Sequence, residues 1–78
     1  MTEIKDMVHF VVESLADKPE EVQVAESVGE GVIMIEIKVA PEDMGRLIGR
    51  KGRTINAIRS LARVLGAKIE KKVSVEIA

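Results

Sequence analysis

Ile4, Met7, Val8, Val11 and Leu15 recur at the i, i+3, i+4, i+7, i+11 spacing of one helical face. The pattern stops at Asp17-Lys18-Pro19, where proline disfavours helix in the residue before it. The spacing predicts a helix over about residues 2–16. The period then drops to two. Val22, Val24 and Val28 share one face of a strand, Gly29-Glu30-Gly31 forms a turn, and Ile33, Ile35, Ile37 and Val39 alternate along Val32 to Val39. Two such runs around a glycine-containing loop predict a β-hairpin.

Ala40-Pro41-Glu42-Asp43 opens a second, short helix reaching about Ile48, with proline in its first turn and acids near the positive end of the dipole. Ile55, Ile58, Leu61, Ala62 and Leu65 predict a third helix, with Gly66 as its terminator. Ile69, Val73, Val75 and Ile77 alternate with Glu70, Lys72, Ser74 and Glu76 as a last strand with one wet face. The order α-β-β-α-α-β predicts a two-layer α+β domain. The hairpin strands pair antiparallel, two helices form the crossover that makes strands two and three parallel neighbours, and all helices cover one face of a three-stranded mixed sheet. With no internal repeat, low-complexity tract or linker, residues 1–78 read as a single domain.

A chain of 78 residues buries only about 60–65% of its unfolded surface. It has no cysteine to staple the fold or bind a metal as thiolate, so its core must be aliphatic and dense. Phe10 is the sole aromatic. The start, Met1-Thr2-Glu3-Ile4-Lys5-Asp6, lacks the basic and apolar blocks of a signal peptide. No run approaches the roughly 18 apolar residues of a membrane span. These features lead to the expectation of a soluble cytoplasmic protein without a membrane partner.

The net charge of -1 conceals a division along the chain. Residues 1–45 carry three Lys/Arg against eleven Asp/Glu, net -8, and residues 46–78 carry nine against two, net +7. From Arg46 to Arg63 there are six cations and no acid. Local field, not net charge, decides where a polyanion docks. The alternative is that the acidic and basic halves only pair across the fold.

The basic segment contains Leu47-Ile48-Gly49-Arg50-Lys51-Gly52-Arg53-Thr54-Ile55. Glycine permits positive φ and close approach of main chain to ligand, and the following helix turns N–H groups and a positive dipole end outward. Two cations between the glycines add attraction for phosphates. A plain helix–helix turn is the competing reading, but such a turn does not require paired cations at its tip.

Ile48-Gly49-Arg50-Lys51-Gly52-Arg53-Thr54-Ile55 matches the Ile-Gly-x-x-Gly-x-x-Ile signature of KH domains, and the α-β-β-α-α-β order resembles the type II KH fold. The block Asp43 to Arg53 is similar to that of the small bacterial KhpA-type proteins, which consist of one KH domain and are regarded as RNA-binding proteins or RNA chaperones. The resemblance covers the whole chain. It implies that Gly49 and Gly52 give backbone access to single-stranded RNA, that Arg50 and Lys51 face its phosphates, and that Arg46 and Arg53 flank the clamp. It further implies a groove for about four unstacked nucleotides, expected between the two short helices and the central strand. KhpA-type proteins often act with a second KH-containing protein, KhpB, so such a partner is implied as well. Without Trp or Tyr, readout by aromatic stacking is disfavoured.

Other residues leave alternatives open. Arg59, Arg63 and Asn56 share a helical side and either extend an RNA path or form a solvated face. Ile48 and Ile55 read as core anchors of the loop. His9 reads as a surface residue, since a metal site needs several ligands. Phe10, off the apolar stripe, and Met34, on the outer sheet face, either cover core edges or mark contacts that would make a homodimer.

Three functional classes follow: an RNA-binding module, a protein-interaction module on the same scaffold, and an enzyme. The last is disfavoured. A P-loop would need Gly-Lys-Ser/Thr five residues after Gly45, where Arg50 stands, and the lone histidine has no evident catalytic partner. No cofactor is expected.

Overall fold

The computed structural model describes residues 3–78. Helix α1 spans Glu3–Leu15, strand β1 Gln23–Gly29, strand β2 Val32–Lys38, helix α2 Met44–Ile48, helix α3 Arg53–Lys68 and strand β3 Lys72–Ile77. Short 3-10 turns at Pro19–Glu21, Pro41–Asp43 and Arg50–Gly52 link them. The sheet order is β1-β2-β3, with β1 antiparallel and β3 parallel to β2. This is the α+β arrangement expected of a type II KH-like domain.

The alternation in β2 explains the two layers. Ile33, Ile35 and Ile37 are buried on one face while Met34, Glu36 and Lys38 are exposed on the other. The helices supply Ile4, Val8 and Val12 from α1, Leu47 from α2, and Ile55, Ile58 and Ala62 from α3 to the same core. Gly29 pairs with Val32, so the hairpin turn shortens to Glu30-Gly31, with Gly31 at φ +72°.

The helical faces are narrower than their apolar spacing suggests. Leu61, about 120° round α3 from Ile55, is 52% exposed. Val12 rather than Leu15 completes the buried stripe of α1. Ile69 falls before β3 and is exposed, and Val28 is exposed beside the hairpin turn, at the end of the sheet. A layer of three helices on three strands shields only the sector of each helix that faces the sheet.

The end of α3 corrects the reading of Gly66. The helix runs two residues past it, to Lys68. The N–H of Lys71 donates to the Gly66 carbonyl at 2.9 Å and that of Glu70 to the Ala67 carbonyl at 3.2 Å, the paired bonds of a Schellman motif. The left-handed residue of this motif is Glu70, φ +57°. Gly66 instead permits contact between layers: a Cβ there would strike the side chain of Val73 and lie 2.7 Å from the Lys71 carbonyl oxygen.

Candidate nucleic-acid interface

Helix α2 is five residues long, far below the roughly 12–15 at which an isolated helix becomes even marginally stable. Tertiary anchors must therefore position the loop at its C-terminus. At its N-terminal side Asp43 is 1% exposed, and its carboxylate does not cap α2. It accepts hydrogen bonds from the N–H of Asp17 at 2.9 Å and of Lys18 at 3.0 Å, closing the end of α1. These backbone donors, the Asp17 N–H foremost, hold the Asp43 pKa below its ordinary value against the opposing effect of burial. The expected role of Asp43 at the α2 dipole is thus replaced by a tether between α1 and α2.

At the other end the Gly49 N–H donates to the Gly45 carbonyl at 2.9 Å and the chain turns sharply. Gly49 has φ +76° and ψ 171°, a region essentially restricted to glycine. A Cβ there would also collide with the Thr54 hydroxyl and lie 2.8 Å from the Thr54 backbone nitrogen. Gly52 is left-handed at φ +75°, ψ 14°, with ordinary contact distance to Asn56. Lys51 lies between them at φ +57°, ψ 27°. A left-handed non-glycine residue costs about 1–2 kcal/mol, so the loop carries strain at the very position that bears a cation.

The loop brings together Gly49, Arg50, Lys51, Gly52 and Arg53. The side chains of Arg50, Lys51 and Arg53 are exposed, and none forms an ion pair among the described residues. Arg46 is placed apart. Its guanidinium lies 3.1 Å from the Asp17 carboxylate and 3.9 Å from that of Asp43, turned toward the end of α1. The resemblance to KH domains puts Arg46 beside the clamp, but the fold brings Asp17, 29 positions earlier, onto its guanidinium, which spacing alone does not reveal.

Beyond the loop an open groove of about 410 Å³ runs between α3 and β3, lined by Asn56, Arg59, Ser60 and Arg63 on one side and residues 73–76 on the other. It lies on the edge strand, not on the central strand as expected, because the inner face of β2 is covered by the helices. Arg59 Nε donates to the Val75 carbonyl at 3.1 Å and Nη1 to Asn56 Oδ1 at 3.3 Å. Ser74 Oγ donates to Glu76 Oε1 at 3.3 Å. The wall was legible only as the polar side of α3; its strand half required the fold. Among the described residues no His, Cys, Asp or Glu group is arranged to hold a metal, and no helix is long and apolar enough to cross a membrane.

A backbone loop with free cations, opening onto a groove of amide, hydroxyl, guanidinium and carboxylate groups, presents phosphate binding and hydrogen-bonding capacity side by side.

Comparison with known proteins bears on the family and the fold. Residues 5–77 match the model of the KhpA/KhpB KH domain. The chain is 49% identical over 74 residues to the RNA-binding protein KhpA of Clostridium perfringens, covering 95% of this chain and 99% of the relative. It is 38% identical over 77 residues to the RNA-binding protein KhpA of Aquifex aeolicus, covering 99% and 98%. Among solved structures, Aquifex aeolicus Era bound to GDP and AlF4 superposes with a TM-score of 0.63 at 21% identity. Era in complex with nucleotides 1506–1542 of 16S ribosomal RNA gives 0.65 at 21%. Each superposition covers 96% of this chain but 30% of the Era chain, and shows a shared fold. By family model and by sequence identity over nearly its full length, the chain belongs to the KhpA/KhpB family of KH domains.

Proposed function

We propose that this chain is a single-domain, single-stranded RNA-binding protein whose Gly-Arg-Lys-Gly loop clamps the sugar-phosphate backbone while bases lie in the groove between α3 and β3. The observation that carries this reading is the loop itself: Arg50, Lys51 and Arg53 stand exposed, without ion pairs among the described residues, around main chain opened by Gly49 and Gly52. Relatives named RNA-binding proteins support the ligand class. Arg46, held by Asp17, acts through the field of the site rather than as a direct ligand. The protein is not an enzyme on this reading; it works in the cytoplasm as an RNA chaperone-like binder.

Neutralising about three phosphates of a single strand gives a salt slope near -2, or roughly twentyfold weaker binding from 50 to 200 mM salt. Titration of labelled single-stranded RNA at these two concentrations, with wild type and Arg50→Asp/Lys51→Asp checked for folding, tests the proposal. Salt-sensitive binding absent from the folded double variant supports it. Equal binding by both proteins overturns it.

A protein-interaction role is favoured by the exposure of Phe10, 71%, and Val64, 63%, on helical surfaces. These residues offer apolar contact to a second copy or to a KhpB-type KH protein. Light scattering of wild type and Phe10→Ser/Val64→Ser distinguishes a homodimer from a monomer that awaits a different partner.

A further inference from the structure

At the far end of the groove, where α3 gives way to β3, a second concavity of about 350 Å³ is lined by Arg63, Ala67, Lys71, Lys72 and Val73. It shares Arg63 and Val73 with the groove, so the two form one path along α3. Its origin is local. Gly66, without a Cβ, lets α3 touch the start of β3, and the Schellman turn delivers Lys71 and Lys72 directly after the helix end. Ala67 and Val73 give an apolar floor, and three cations form its rim. Residues 63–72 carry Arg63, Lys68, Lys71 and Lys72 against Glu70 alone.

We propose that this basic pocket is a second backbone-binding site for the same RNA strand, lengthening the site from about four nucleotides to about seven. The inference rests on the loop reading above. Gly52 and Ala67 are 15 residues apart along α3, about 22 Å at the helical rise of 1.5 Å per residue. A strand at the stacked rise of about 3.4 Å per nucleotide reaches that distance in six or seven steps, and an unstacked strand in fewer. A four-nucleotide strand clamped at the loop therefore leaves the pocket empty or barely reached, whereas the fifth to seventh nucleotides lie within it. Sugar and base edges meet Ala67 and Val73, and phosphates meet Arg63, Lys71 and Lys72. Because the first contact tethers the strand, the second is made at high effective concentration and adds affinity without base selection.

The test is a length series: oligouridylates of four, seven and ten nucleotides, followed by anisotropy at 50 and 200 mM salt. Proteins are wild type, Lys71→Glu/Lys72→Glu, the milder Lys71→Gln/Lys72→Gln, and Arg50→Asp/Lys51→Asp, each checked by circular dichroism. A site of about four nucleotides has four placements on a heptamer, so register alone gives at most about fourfold. The expected wild-type gain from tetramer to heptamer is about tenfold or more, falling to the register factor in the folded Lys71/Lys72 variants. Their heptamer salt slope should fall by about 1.4, the value for two phosphates, while tetramer affinity stays the same. A wild-type gain of fourfold or less, or a full gain retained in both variants, overturns the second site and leaves the loop reading intact. Tetramer binding unchanged in Arg50→Asp/Lys51→Asp overturns the loop reading. Binding of no oligonucleotide overturns both.

Discussion

The buried carboxylate of Asp43 accepts the backbone N–H of Asp17 at 2.9 Å, fastening the turn before α2 to the end of α1 across 26 residues of chain. Since α2 is too short to hold itself in place, this bond and its neighbour from Lys18 help fix where the glycine loop projects.

Asp43→Asn should lower the melting temperature by several degrees at pH 7, because the amide NH2 would set a donor against one of the two N–H groups. It should also weaken RNA binding although the loop is untouched. The native pKa of Asp43 lies below its ordinary value of 3.8. The contribution of Asp43 is therefore complete above about pH 4 and is lost as pH falls through the depressed native value. Thermal melts between pH 7 and pH 2 should show wild type losing stability below pH 4 more steeply than Asp43→Asn. Parallel curves would refute the linkage.

The two loop glycines should not respond equally to alanine. Gly49→Ala places a side chain in a region of φ,ψ restricted to glycine and against Thr54, and should destabilise by about 3 kcal/mol or more. Gly52→Ala meets only left-handed strain without a clash, about 1–2 kcal/mol. Urea denaturation of both variants checks the order, and equal losses would contradict the loop conformation.

Gly66→Ala poses a contest between propensity and packing. Alanine gains about 1 kcal/mol over glycine inside a helix. Its Cβ, however, meets a backbone carbonyl at 2.7 Å that cannot turn away, and overpacking costs typically 1–3 kcal/mol. Net destabilisation is expected in chemical denaturation. A more stable variant would show that Gly66 is merely a poor helix residue.

Glu70 holds the left-handed position of the α3 Schellman motif, where glycine is free of strain. Glu70→Gly should raise stability by about 1 kcal/mol. The same denaturation measurement applies, and a loss would imply that the glutamate side chain supplies an interaction outweighing its backbone strain.

The order of elements, the buried side of the sheet and the position of the glycine loop are legible in the residues alone. Each of these depends on local periodicity or on short-range backbone chemistry: Ile33, Ile35 and Ile37 alternate, Ile4 and Val8 recur at helical spacing, and Gly49 and Gly52 mark positive φ. Even there one residue type can serve two mechanisms. Gly66 looks like a helix terminator because glycine is common at that position, yet its absent Cβ serves contact with Val73, and the left-handed terminator is a glutamate. Which charges stay unpaired is set by the packing of segments distant in sequence. Arg46 and Arg50 are equivalent cations in the sequence, but Asp17 reaches Arg46 and no acid among the described residues pairs with Arg50. Likewise the groove has one wall on α3 and the other on β3, and no window of sequence spans two elements joined only by packing. Local patterns encode what a segment becomes. Charge pairing and concavity arise between segments, at separations that only folding brings within a few ångströms.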